Sequence, residues 1–196
     1  YDETHPVVCL DESPKQLIEQ SRQTYTDKKG VVHQDYEYIR HGVRDLYMIT
    51  EPLGGRREVL VKQNHNSQTY AHVLAHIAEQ MYPEQQTITL IEDNLSAHRM
   101  AALYEVFPAE RALKIAQKFN VVRTPAHGSW LNIAECELSV LTRHGLKERI
   151  KDEQTLIQEV SAWYRNRNLK QKGVDWQFST QEARVKLKRL YPAIET

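Results

Sequence analysis

Two short β-prone runs in this 196-residue chain each end in a carboxylate: HPVVCLDES, residues 5–13, carries Asp11, and TITLIED, residues 87–93, carries Asp93. Such runs are too short for core helices and read as strands. What lies between and after them narrows the fold further. RDLYMITEP and REVLVKQNH, joined through Leu53-Gly54-Gly55-Arg56, have the form of a β-hairpin. The period then changes, with Tyr70, Val73, Leu74, Ile77 and Met81 at helical spacing and Pro83 just beyond. Residues 99–119 read as helical with a break at Pro108, and NVVRTP as a strand stopped by Pro125. SWLNIAECELSVLTRHGL reads as a helix closed near Gly145, and Leu156, Ile157, Val160, Trp163 and Tyr164 mark one more. Ser13-Pro14 is expected to end the first strand, and the polar residues 14–35 to form a long loop. The order is strand, hairpin, helix, strand, helix, strand, helix, helix. It specifies an α/β protein with a mixed five-stranded sheet flanked by helices, because the hairpin imposes antiparallel pairs and the later crossovers impose parallel ones.

A hydrophobic fraction of 40% supports one sizeable core. No stretch approaches the roughly 20 apolar residues of a membrane span, and nothing has the form of a signal peptide, so a soluble intracellular protein is expected. Cys9 and Cys136 lack metal-ligand partners in sequence and read as small buried hydrophobes. The formal charge of zero hides an asymmetry. Residues 1–142 hold 14 basic against 19 acidic side chains and residues 143–196 hold 12 against 7, so the two parts carry −5 and +5. The basic end interleaves Lys and Arg with Trp163, Tyr164, Trp176 and Tyr191, which suits either a phosphate backbone or a solvated helical face.

An Asp-Asn pair at a strand end, as in LIEDNLSAH, is ordinary turn chemistry. It is also a rigid place to hold a carboxylate, and Asp11 and the pair Glu135 and Glu137 supply partners from other elements. Carboxylates gathered within a few ångströms raise one another's pKa unless a cation compensates, and Mg²⁺ prefers carboxylate oxygens with water in its remaining positions. Helical phase separates the two glutamates. They lie about 200° apart, with Glu137 inside an apolar arc and Glu135 at its edge, so Glu135 is the expected ligand and Glu137 the structural residue.

PVVCLDES, DYEYIRHG, LIEDNLSAH, TPAHGSWLNIAECELSVL and VDWQFSTQEARVKLKRLYP together resemble the transposases of the bacterial insertion-sequence branch of the mariner superfamily. The resemblance covers nearly the whole chain. Its most specific part is the joint pattern of Asp-Asn followed by His, then Asn-x-x-Glu opening a helix. It implies a ribonuclease-H-like catalytic domain whose Asp, Asp and Glu hold two Mg²⁺ ions, with Mn²⁺ able to substitute. The activity implied is cleavage of DNA at terminal inverted repeats and joining of the freed 3′ ends to a TA target, by a homodimer of the full-length protein. Carried onto this chain, the triad is Asp11, Asp93 and Glu135, and the 41 residues between the last two fit the bacterial branch. Relatives place helix-turn-helix DNA-binding domains ahead of this one. Residues 1–196 are therefore expected to be the catalytic domain with a basic helical tail, the chain beginning at Tyr1 downstream of a removed segment. The setting implied is the bacterial cytoplasm, in association with the nucleoid. A stand-alone ribonuclease-H-like nuclease and a non-catalytic DNA-binding remnant of a decayed insertion sequence are the alternatives.

Around the triad, Asn94 is either a turn former or an orienting partner of Asp93. His98 could touch a DNA phosphate or a metal-bound water, or simply start a helix. Asn132, one turn before Glu135, could hold that carboxylate or contact DNA. His127 and Ser129 precede the helix, with Ser129 a candidate N-cap and free amides there open to phosphate. Trp130 reads as packing. Arg165, Arg167, Lys170, Lys186, Lys188 and Arg189 are the candidate contacts to the DNA backbone.

Overall fold

The computed structural model describes residues 2–22, 25–33, 36–125, 128, 131–170, 173–174, 181–182 and 185. Seven strands occur among them: β1 (Val7–Gln20), β2 (Tyr25–Thr26), β3 (Val32–His33), β4 (Tyr38–Glu51), β5 (Arg56–Lys62), β6 (Ile88–Glu92) and β7 (Phe119–Arg123). The helices are α1 (Ser67–His76), α2 (Ala102–Val106), α3 (Ala109–Gln117), α4 (Ile133–Val140) and α5 (Glu153–Leu169). Five strands form one sheet in the order β5-β4-β1-β6-β7, and β2 with β3 forms a small ribbon. β4 pairs antiparallel with β1 and β5, while β6 pairs parallel with β1 and β7, as the hairpin and the crossovers require.

The two-residue period of the strands splits the core into two layers. Val8 and Leu10 of β1, Tyr47 and Ile49 of β4, and Ile88 and Leu90 of β6 face α1, α2 and α3. Cys9, Leu46, Met48 and Ile91 face the opposite way, onto Ile133, Ala134 and Leu138 of α4 and Leu156 and Val160 of α5. Helices thus cover both faces of the sheet. None of the described helices is long and apolar enough to cross a membrane.

The first strand is longer than expected. Pro14 does not end it: β1 continues to Gln20, pairing Pro14 with Asp45 and Gln20 with Tyr38. Beyond Cys9 the other edge of β1 is released by β6, so a residue without an N–H is tolerated on that side. Ile18 N–H donates instead to Ile150 O, at 2.8 Å. Residues 14–35 are therefore half strand and half ribbon, not one long loop. The pairing shifts between Gln16 and Ile18, where Leu17 opposes His41 and Gly42, and Gly42 adopts φ 101°, which favours glycine.

Both long helices of the prediction end in a widened, π-type turn, Ile77–Met81 after α1 and Leu141–Gly145 after α4. Lys118 Nζ reaches the carbonyl of Ala78 within the first of these and those of Tyr82 and Pro83 just past it, at 2.9, 3.1 and 2.7 Å, where a helix end leaves acceptors unmet. At the second, a Cβ on Gly145 would stand 2.7 Å from the Trp163 ring of α5, so glycine admits the close approach. α5 also closes the outer strand. Asn168 accepts from Arg57 N (2.9 Å) and donates to Arg57 O (2.7 Å). Cys9 is buried as expected, but Cys136 is exposed, because it follows Glu135 on the outward arc of α4.

Candidate active site

The sheet opens where the site begins. The β1–β6 ladder ends at Cys9↔Ile91, two residues before Asp11 on one strand and two before Asp93 on the other. β1 goes on with β4, where Asp11 is opposite Met48, while β6 goes on with β7 to Glu92↔Arg123. Between the diverging chains lies a cleft of about 460 Å³, lined by Asp11, Asp93 and Glu135 together with Glu12 and Ser13, Leu138 and Ser139 of α4, and Thr142 and Arg143 of the widened turn that follows it.

α4 is docked into this opening by Asn132. The Asn132 side chain is the helix N-cap, its Oδ1 accepting from Ala134 N at 3.2 Å. Its Nδ2 donates to Leu10 O at 2.7 Å, on the edge that β6 has vacated, and comes within 3.5 Å of Asp11 Oδ2. Asn132 is 0% exposed, which leaves no surface for DNA. It holds Asp11 and the start of α4, not the Glu135 carboxylate. Ser129 and His127 lie outside the described residues, as do Trp130, Lys186, Lys188 and Arg189.

Glu135 is exposed to the cleft and Glu137 is buried on the other side of α4, as helical phase requires. Glu137 Oε2 stands 3.0 Å from Arg57 Nε and its Oε1 accepts from Arg167 Nη2 at 3.2 Å. The first contact lacks hydrogen-bond alignment, so it is chiefly an attraction between charges. Arg167 is thus engaged with Glu137 and stacked over Trp163, whereas Arg165 and Lys170 are exposed. None of the three lines the cleft.

Asp93 Oδ1 accepts from Leu95 N (2.9 Å) and lies 3.1 Å from His98 Nδ1. Asn94 does not orient that carboxylate. Its Nδ2 donates to Thr124 O at 2.6 Å, joining the end of β6 to the end of β7. His98 is buried, its side chain 1% exposed, and its Nε2 lies 3.2 Å from Glu12 Oε2. Burial opposes a charge on His98, but the Glu12 hydrogen bond and the nearby carboxylates of Glu12, Glu92 and Asp93 carry its pKa above the ordinary value. Beneath it, Tyr70 stacks on the ring at 4.7 Å and donates to Glu92 Oε2 at 2.6 Å. Sequence reasoning missed Glu12, Glu92 and Arg143. Arg143 was accessible in principle, since positions 135, 139, 142 and 143 share a helical face.

Asp11 is the strained member of the set. Burial pushes its pKa up to about 7; the Glu12 amide opposes the rise, and the charges of Glu12, Asp93 and Glu135 add to it. This is the donor chemistry of a hard divalent cation, with oxygen ligands whose mutual repulsion a positive charge relieves. Among the described residues no three such groups stand close enough to ligate one ion directly. The set therefore fits an ion that keeps several waters and takes one or two carboxylates at a time.

A family model described as DDE superfamily endonuclease matches residues 6–157. The chain belongs to this family. No curated protein matches it. The fold is shared with Mos1 structures. The Mos1 mariner paired end complex with Mn aligns with TM-score 0.57 and 19% identity over 83% of this chain and 49% of that one. The Mos1 Strand Transfer Complex gives 0.52 and 17% over 83% and 47%, and the mariner Mos1 paired end complex with Mg gives 0.52 and 16% over 83% and 49%. This DDE chain spans about half the length of those proteins.

Proposed function

We propose that this chain carries the catalytic domain of a cut-and-paste DNA transposase of the bacterial insertion-sequence branch of the mariner superfamily. The observation that carries the reading is the convergence of Asp11, Asp93 and Glu135, from three elements, on one open cleft of a ribonuclease-H-like sheet in a DDE endonuclease. Asp11, Asp93 and Glu135 would hold divalent cations, two Mg²⁺ with Mn²⁺ able to substitute. Bound there, the ions supply charge to the attacking and leaving oxygens of a phosphodiester. In the first reaction water attacks phosphorus at the element end and the 3′ oxygen leaves. In the second, that freed 3′ hydroxyl attacks a target phosphodiester at a TA step and displaces the target's own 3′ oxygen. Ser139, Thr142 and Arg143 continue the same wall of the cleft and offer hydroxyl and guanidinium donors to the strand.

The substrate is DNA bearing terminal inverted repeats, in the cytoplasm at the bacterial nucleoid, and the full-length protein pairs two ends as a homodimer. The projecting β1–β4 arm and its ribbon support a second copy as partner. They expose Tyr25, Val31, Val32, Tyr36, Ile39 and Val43 to between 46 and 84%.

A pre-cut repeat end incubated with a TA-bearing plasmid and Mg²⁺ tests the reading. Joined product is expected, and Asp93→Asn should abolish both joining and the rise in melting temperature that the metal gives the wild type. Cleavage without joining would indicate a nuclease of the same fold. Binding without either reaction would indicate a non-catalytic remnant.

A further inference from the structure

β1 and β6 stop pairing with each other two residues before Asp11 and Asp93. Something else must then fix the distance across the cleft mouth. One side chain spans it. His98 faces Asp93 Oδ1 through Nδ1 at 3.1 Å and Glu12 Oε2 through Nε2 at 3.2 Å, so it links the residue after Asp11 on β1 to the carboxylate after β6.

The ring has little freedom to do otherwise. Tyr70 stacks on one face, and the tyrosine is itself fixed through its hydroxyl to buried Glu92. The backbone of His98 is held as well, its N–H donating to Leu95 O at 3.0 Å and its carbonyl accepting from Arg123 Nη2 at 2.7 Å. Arg123 sits at the end of β7, opposite Glu92. The imidazole is therefore referenced to β6, β7 and α1 together, and it transmits that position to Asp93. Oδ1 accepts from Leu95 N and lies 3.1 Å from His98 Nδ1, whose hydrogen bond goes to Asp93 O at 3.5 Å, so the ring faces the Oδ1 side of the carboxylate and leaves the other oxygen of Asp93 for a ligand in the cleft.

We propose that His98 and Glu12 form a spacer that fixes the Asp93 carboxylate at the cleft mouth, acting as positioning residues and not as ligands or DNA contacts. This rests on the proposed metal-dependent reaction. It goes beyond it in assigning the geometry of the Asp93 site to a side chain with almost no exposure. Partners behind a ligand commonly alter metal affinity by ten- to a hundredfold when removed.

The two amide replacements of His98 separate this role from packing. The Asn amide nitrogen falls near where Nδ1 stood and can still reach Asp93, whereas the Gln amide nitrogen falls near Nε2 and reaches Glu12 instead. Mn²⁺ binding to the full chain is measured by calorimetry, with melting temperature recorded on the same samples. His98→Gln should weaken Mn²⁺ binding by about ten- to a hundredfold, with His98→Asn within about threefold of wild type. Glu12→Ala, which frees the far end of the spacer, should weaken binding in the same direction by a smaller factor. Equal Mn²⁺ affinity in folded Asn and Gln variants, with only the melting temperature lowered, would overturn the spacer and leave a packing role. Should both His98 variants fail to fold, Glu12→Ala decides, and unchanged Mn²⁺ binding there overturns it too. A wild type that binds no Mn²⁺ would instead sink the metal-dependent reading itself.

Discussion

Glu137→Gln and Glu135→Gln, two residues apart on α4, should have opposite phenotypes. Glu137 is 4% exposed and Arg57 is 2% exposed, so the mutation removes the Glu137 charge that faces a buried guanidinium. Breaking a buried pair from one side costs about 3–5 kcal/mol. Arg57 keeps its bond from Nη1 to Gly55 O at 2.8 Å, and Gln retains a carbonyl acceptor, so the lower end of that range applies. Arg167 is partly exposed and can turn to water. For a chain of this size about 3 kcal/mol corresponds to a fall in melting temperature of roughly 6–12 °C. Glu135 is exposed, and neutralising it removes repulsion from a crowded cleft, so metal-free stability should stay within about 0.5 kcal/mol of wild type. Cleavage should be lost in Glu135→Gln and retained by folded Glu137→Gln. Calorimetric melting with a repeat-end cleavage assay on the same preparations gives both readouts. A Glu137→Gln protein that melts like wild type and cannot cleave, beside an active Glu135→Gln, would show that the ligand and the structural residue have been exchanged.

Asp11 gives a pH dependence. Its folded pKa of about 7 lies above the ordinary 3.8, so the folded chain retains a proton that the unfolded chain has lost between those values. Metal-free stability should fall as pH rises through that window, and Mn²⁺ binding should tighten through it with release of a proton; affinity flat from about pH 5 to 8 would contradict the assignment. In the basic tail, Arg165→Ala with Lys170→Ala should flatten the dependence of log DNA affinity on log salt without loss of stability, an unchanged slope counting against a backbone role. Arg167→Ala should instead lower the melting temperature, because that side chain serves Glu137.

The strands, their alternation and the parallel or antiparallel sense of each pair were legible because each is a local pattern multiplied by a topological rule. Pro14 misled because what decides a proline in a strand is the neighbour on its nitrogen side, and on that side the ladder with β6 has already ended at Cys9. At the site, the phase of α4 told Glu135 from Glu137, since phase is a property of one helix. The work of Asn132, His98 and Arg167 was not legible in this way. Their partners, Leu10 O, Glu12 and Glu137, come from other elements at separations of 122, 86 and 30 residues. An Asn before a helix signals a cap, but nothing in its neighbourhood says that its other end will meet an unpaired strand carbonyl.

The amide of Asn168 presents Arg57 with one acceptor and one donor, the same pair that an adjacent strand would offer. β5 is the outermost strand on its side, and an outer strand with unpaired groups invites a second molecule to add on. Val174 N–H, donating to Pro52 O at 2.6 Å, screens the neighbouring turn in the same manner. Asn168 and Val174 therefore occupy backbone groups at this edge that another strand would otherwise take. A chain cut short before Asn168 should keep every carboxylate of the cleft and yet expose the Arg57 backbone to edge-to-edge pairing of β5 with β5, read as concentration-dependent light scattering that the full chain does not show.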